Sequence, residues 1–281
     1  MVLGELEWVI EDKIAYLIIQ RPKVLNALNQ KLLSNLEEWL DRVEHEVQQS
    51  TVAFRCIVIR GAGEKAFVAG ADILEFKDRS AAQGQEMSQR GQRVFSRIEQ
   101  LPLPVIALID GYALGGGAEL ALACHFRVGT KQAVIGFPEV RLGLIPGYGG
   151  TLRLSRLIGY SKALEWMTMA TNITAEEAYK CGFLHVILEP NGETPSIGQE
   201  EKGGITYHEE LKKWLKPLIN MAPLAIKNVI LALRSHESTQ MSDSDCLTKE
   251  SELFGELFET KDVAEGINAF IEKRNPRFQG K

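Results

Sequence analysis

A chain of 281 residues has room for one large domain, or for one domain with a smaller appendage. With 45% apolar and 25% charged residues it has the composition of an ordinary globular protein, which excludes fibrous and low-complexity classes. A net charge of -5 argues against a role led by binding a phosphate backbone, although a local basic patch is compatible with it.

The chain begins with two runs rich in Val, Ile, Leu and aromatic residues, 5 to 10 and 14 to 20, and the polar Glu11-Asp12-Lys13 between them predicts a hairpin turn. Glu5 and Glu7 in that opening stretch are unlike a signal or transit peptide, so the expected location is cytoplasmic. A helix follows: Asn29 can cap it, and Leu32, Leu36, Trp39, Leu40, Val43 and Val47 recur at helical spacing. Cys56 to Ile59 is a buried-strand candidate. A second helix is expected over roughly 83 to 100, with Met87, Phe95, Ile98 and Leu101 near one face. Val105 to Ile109 reads as another buried strand, and runs of this length fall far short of a membrane span. Thr174 and Glu177 form a capping box, with Gly182 as a stop. Residues 190 to 206 are rich in Pro, Gly and polar residues and are expected to be a flexible loop. Helical patterns then include Leu224 to Leu233 and Val263 to Ile271. Strands first and helices last predict an α/β core over 1–206 followed by a helical region over 207–281. No exact internal repeat is visible, although strand-strand-helix units can recur structurally.

Several motifs exclude common chemistries. Gly61-Ala62-Gly63-Glu64-Lys65-Ala66 fits a dinucleotide fingerprint, but that fingerprint needs a long helix to hold the pyrophosphate. Phe67-Val68 instead resumes an extended pattern, so a turn between two strands is expected. GxxxxGK[ST] and GxSxG are both absent. The four cysteines, Cys56, Cys124, Cys181 and Cys246, are scattered and read as free thiols, with no metal site expected.

Three segments combine glycine with carboxylates: Ala69-Gly70-Ala71-Asp72-Ile73, Gly111 to Glu119, and Phe137-Pro138-Glu139 through Pro146-Gly147-Tyr148-Gly149-Gly150-Thr151. In the second, a buried strand meets Gly115-Gly116-Gly117 and leads into the helix Ala118 to Cys124. Backbone N–H groups at such a helix start point outward with the positive end of the dipole behind them, a setting suited to an oxyanion. Glu119 lies in the first turn of this apolar helix. It either faces solvent and complements the dipole, or it is buried and has partners or work that offset the cost.

The run Ile106-Ala107-Leu108-Ile109-Asp110-Gly111, then Gly115-Gly116-Gly117, then Leu122-Ala123-Cys124-His125-Phe126 closely resembles the signature of the enoyl-coenzyme A hydratase/isomerase, or crotonase, family. Arg21-Pro22, Asn26-Ala27-Leu28, Ala69 to Asp72, Ile145-Pro146-Gly147, and Glu265-Gly266 with Ala269-Phe270 to Arg274 are similar to the same family. The resemblance extends from about residue 5 to the C-terminus, apart from the 190–206 loop. It implies a crotonase-like superhelix of strand-strand-helix units with a C-terminal helical oligomerisation region, and a homotrimer or a dimer of trimers. It also implies an acyl-coenzyme A substrate, with the N–H groups of Ala71 and Gly116 as the oxyanion hole and Glu119 and Glu139 as catalytic acids. Ala69, Ala71, Asp72, Ile73, Leu74, Gly116, Phe270 and Lys273 fall at substrate- or coenzyme A-binding positions, the last two reaching the nucleotide of a neighbouring subunit.

Two glutamates imply a hydratase: one activates water and the other exchanges the proton on the α-carbon. No metal or redox cofactor is called for, since coenzyme A is part of the substrate. The expected setting is fatty-acid or related acyl-coenzyme A degradation. Rival readings are an isomerase, which needs one base, and thioester hydrolysis, aldol-type cleavage or ring closure. An RNA-binding relative is a further rival, disfavoured by the acidic balance. Phe137 and Leu74 depart from the Gln and Lys common at those positions, and Phe137 is expected to raise the Glu139 pKa. His125 is expected to be structural and Tyr148 to pack near the site.

Overall fold

The runs expected to be strands fold as strands, and successive side chains point to opposite faces of the sheet. The computed structural model describes residues 1–49, 52–189, 208–235 and 241–281; the loop expected over 190–206 lies outside them. β1 (Val2–Leu3), β2 (Leu6–Glu11) and β3 (Ile14–Ile19) open the chain. β2 and β3 are antiparallel, and Asp12 and Lys13 turn between them at φ +50° and +67°, the left-handed pair that a two-residue hairpin favours. α1 (Gln30–Gln48) starts where the Asn29 side chain accepts the Leu32 N–H, and it buries the expected stripe from Leu32 to Val43.

A unit then repeats. β4 (Cys56–Gly61), β5 (Ala66–Ala69) and α2 (Ala81–Gln100) form the first, and β6 (Val105–Ile109), β7 (Tyr112–Leu114) and α3 (Gly116–Ala123) the second. β8 (Phe126–Thr130), β9 (Val134–Gly136) and α4 (Gly150–Ile158) form the third. α5 (Tyr160–Met169), β10 (Ile173–Thr174), α6 (Ala175–Lys180) and β11 (Val186–Leu188) complete the core. The first strand of each unit enters a seven-stranded sheet, β1-β2-β3-β4-β6-β8-β11, and the second enters a four-stranded sheet, β10-β9-β7-β5. The chain climbs from one sheet to the other at every repeat, so corresponding strands run parallel.

The large sheet is covered on both faces, which is why its strands read as unbroken apolar runs. Ile57 and Ile59 of β4 join the core shared with α1, α2 and α3, while Cys56 and Val58 face Leu211 and Leu215 of α7 (His208–Asn220). α8 (Pro223–Ser235), α9 (Asp243–Leu257) and α10 (Lys261–Ile271) follow, with the Asn228 side-chain amide donating to the Leu253 carbonyl at 2.7 Å. Among the described residues no single helix is long and apolar enough to cross a membrane. Two boundaries differ from expectation. α2 begins at Ala81 because Ser80 and Gln83 form a capping box, and α3 begins at Gly116, so glycines form its first turn. The Gly61 to Ala66 segment is a turn between β4 and β5.

Asn26 ties the first unit to the opening hairpin. It is buried at φ +59°; its amide donates to the Ala62 and Ala66 carbonyls at 2.9 and 2.8 Å, and its Oδ1 accepts the Arg21 N–H at 3.0 Å. Asn26→Ala strands these groups, and each buried polar group left unpaired costs about 1–3 kcal/mol. A lower denaturation midpoint with an unchanged denaturant slope is the expected result.

Candidate active site

Every residue of α3 is buried, and Glu119 is only 2% exposed. Of the two readings open in the sequence, the buried one holds. Glu119 Oε1 accepts the N–H groups of Tyr148 and Gly150, both at 2.7 Å. These donors are available because Gly149, at φ +100°, turns the chain into the start of α4, where N–H groups have no partner within the helix. Burial pushes the Glu119 carboxyl up to about 7. The neighbouring Glu139 adds to the rise, and the two N–H donors and Arg153 oppose it.

Glu139 opens a 3-10 turn, Glu139–Leu142, after β9. Its approach requires Gly115: that residue has φ +48° and ψ -120°, and a Cβ there would lie 2.6 Å from Glu139 Oε1. Glycine accepts both the backbone conformation and the contact. Burial raises the Glu139 pKa, with its own N–H working against the rise. Phe137 packs its ring into the core and supplies no polar atom, and Glu139 Oε2 is buried without a hydrogen-bond partner among the described residues.

The third component is main chain. Leu28 donates its N–H to the Gly70 carbonyl at 2.8 Å and accepts the Asp72 N–H at 2.7 Å, forming a parallel bridge around Ala71. A residue bracketed in this way directs its own N–H and C=O to the opposite edge. That is the edge on which β5 pairs with β7, with Ala69 opposite Leu114; two residues further along, the chains carry Ala71 and Gly116. Gly116 is the first residue of α3, so its N–H has no acceptor within the helix. Ala71 and Gly116 both border one cavity, Gly116 at the positive end of α3.

Ala69, Ala71, Ile73, Gly116, Glu119 and Glu139 line one cavity of about 410 Å³, whose remaining wall includes Met87, Leu142, Leu144 and Tyr148. Tyr148 packs edge-on against Phe95, and its hydroxyl is pushed well above the usual tyrosine range by burial. Four positions with expected binding roles do not line it. Asp72 turns to Arg21 at 3.5 Å and to the Leu74 N–H, Leu74 is 84% exposed, and Phe270 and Lys273 lie at the end of α10. His125 Nδ1 accepts the Val105 N–H at 3.0 Å, and burial lowers its pKa to about 4, as suits a structural histidine. Cys56, Cys124 and Cys246 are buried free thiols and Cys181 is partly buried. Among the described residues no group of three or more His, Cys, Asp or Glu is arranged to hold a metal ion. The carboxylate's anchoring at Tyr148 and Gly150 was not foreseen from sequence; the glycine pair just before a helix was the available sign.

Two buried carboxyls beside main-chain N–H groups at a helix start are able to exchange protons with a bound molecule and to stabilise a developing oxyanion. The sequence model of the enoyl-CoA hydratase/isomerase family matches residues 9–281, and the chain belongs to that family. It is 38% identical to the short-chain-enoyl-CoA hydratase of Clostridium acetobutylicum, over 94% of this chain and 93% of that protein. It is 36% identical to the crotonyl-CoA hydratase of Syntrophomonas wolfei, over 96% of each. The crystal structure of enoyl-CoA hydratase from Bacillus anthracis superposes with a TM-score of 0.86 at 31% identity, covering 99% of this chain and 100% of that one. The fold is accordingly the crotonase fold expected from sequence.

Proposed function

We propose that this chain adds water across the double bond of a 2-enoyl-coenzyme A thioester to give the 3-hydroxyacyl thioester, with Glu119 and Glu139 as its acid/base pair. The observation that carries this reading is the meeting of both carboxyls with the Ala71 and Gly116 backbone in one cavity. Relatives named as hydratases, similar over nearly the whole chain, support it.

In the proposed step the water oxygen bonds to the β-carbon while Glu119 takes one of its protons. The π pair moves toward the thioester, and the resulting negative oxygen is held by the two N–H donors, each worth about 2.7–4 kcal/mol in sites of this kind. The α-carbon takes a proton from the Glu139 carboxyl, and the Glu119 proton then restores the pair. Burial raises both pKa values and the Glu139 charge adds to the rise at Glu119, so the two carboxyls titrate as a coupled pair. The reaction is redox-neutral and requires no separate cofactor. An isomerase would need only one of these carboxyls.

Ala69 and Ile73 at the cavity wall would contact the thioester arm. A homotrimer, or a dimer of trimers, is the proposed assembly. Val229, Leu233, Phe254, Phe258, Phe270 and Ile271 expose apolar surface along the C-terminal helices, more than isolated surface residues account for. In such an assembly Phe270 and Lys273 would reach the coenzyme A nucleotide of a neighbouring subunit. The proposed setting is acyl-coenzyme A degradation.

The test is an assay of the purified protein with crotonyl-coenzyme A. The conjugated-enone absorbance falls and no free thiol appears. Release of free coenzyme A would instead mean thioester hydrolysis, and an unchanged spectrum would contradict the hydratase reading.

A further inference from the structure

Arg153 lies in the first turn of α4 and is nearly buried, at 9% exposure. Side chains in a helix lean toward its N-terminus, so this cation sits against the positive end of its own helix dipole, an unfavourable place. Two contacts on α2 compensate. Arg153 Nε and Nη2 donate to Glu99 Oε2 at 3.0 and 2.8 Å, and Nη2 also donates to Ser96 Oγ at 3.1 Å. The remaining arm, Nη1, donates to the Tyr148 carbonyl at 2.9 Å. Tyr148 is therefore gripped through its C=O while its N–H holds Glu119. Gly149 fits the same grip, since a Cβ there would collide with Arg153 Nη1.

We propose that Arg153 is a positioning residue for hydration: braced by Glu99 and Ser96, its guanidinium fixes the Tyr148–Gly150 backbone and so holds the two N–H donors on Glu119. This rests on the reading of Glu119 as the group that activates water. A planar fork suits the task because it spans α2 and the loop at once, which a lysine ammonium does not. The same cation opposes the rise in the Glu119 pKa. The titratable groups around Glu119 are Glu139 from the turn after β9, the Tyr148 phenol and Arg153. Those around Arg153 are Glu99 and the Cys124 thiol at the end of α3.

The experiment measures kcat, KM for crotonyl-coenzyme A and the pH profile of kcat for Arg153→Met, Arg153→Lys and Glu99→Gln, each normalised to the folded fraction, with Glu119→Gln alongside. Arg153→Met lowers kcat by roughly tenfold to a hundredfold, the scale of a small misplacement of a reacting group, and leaves KM within about twofold. Its acid limb moves up by about one pH unit, because the cation favouring the Glu119 carboxylate is gone. Arg153→Lys keeps the limb near the wild-type position with an intermediate kcat. Glu99→Gln moves the limb the other way, to lower pH, since the Arg153 charge is no longer neutralised; it also decides the matter if Arg153→Met does not fold. Loss of activity only in proportion to the folded fraction, with the limb unmoved in both Arg153→Met and Glu99→Gln, overturns the proposal. Full hydration by Glu119→Gln would instead overturn the reading beneath it.

Discussion

Glu119→Gln abolishes most hydration, lowering kcat by roughly 10²–10⁴-fold, the contribution of a positioned acid or base. The amide keeps an oxygen to accept the Tyr148 and Gly150 N–H groups, so the loop and the cavity persist. What disappears is the capacity to take a proton from water. The stability consequence runs the opposite way. The folded-state pKa is raised from 4.5 to about 7, so the native protein holds this proton more tightly than the unfolded chain does. The resulting stabilisation is fully present below the unfolded pKa and is lost as pH rises through about 7. The glutamine variant lacks this loss, so above that pH it melts at a higher temperature than the parent, a trade of stability for activity. In the wild type, hydration declines on the acid side of a limb near 7 as Glu119 becomes protonated. An enzyme that moves a double bond with Glu139 alone would keep its rate in Glu119→Gln.

Gly116→Pro removes one proposed oxyanion donor without removing a side chain. Residue 116 is the first position of α3, where a proline ring is compatible with a helix and the missing N–H has no helical acceptor. Loss of one such donor lowers kcat by about 10²–10³-fold. Gly116→Ala is the control, since it retains the N–H. Its Cβ comes closest to the Leu28 Cδ1 methyl at 3.0 Å, the end of a side chain that can turn aside, and meets the Tyr148 ring at an ordinary contact distance of 3.5 Å. The proline variant loses far more activity than the alanine variant at equal folded fraction; equal losses would place the cause in crowding against Leu28.

The fold was legible where period and capping act locally. The hairpin turn at Asp12-Lys13, the Asn29 cap, the Thr174–Glu177 box and the two-sided burial of β4 and β6 all follow from residues next to one another in the chain. The division of strands between two sheets was not legible in residue patterns. β6 and β7 are separated only by Asp110 and Gly111, and pairing partners from elsewhere in the chain decide which sheet each joins. At the site, Glu119 was conspicuous because a carboxyl on an apolar helix is costly, and Gly115 because of its place before that helix. Arg153 gave no such sign. An arginine in an amphipathic helix reads as surface charge, and its importance comes from Glu99, 54 residues away, and from the Tyr148 carbonyl. Asp72 shows the converse: it belongs to a recognisable motif, yet its carboxylate is taken up by the Arg21 guanidinium and the Leu74 N–H rather than by the cavity.

In the proposed hydration, main-chain donors hold the thioester oxygen while two glutamates share one water beside the neighbouring carbons. A crystal structure with the unreactive acetoacetyl-coenzyme A bound tests it most directly. The expected result is a thioester oxygen at about 2.7–3.1 Å from both Ala71 N and Gly116 N, with the Glu119 and Glu139 carboxyls facing the acyl carbons from the same side. A thioester oxygen directed away from those two N–H groups, or either carboxyl turned from the acyl chain, would contradict it.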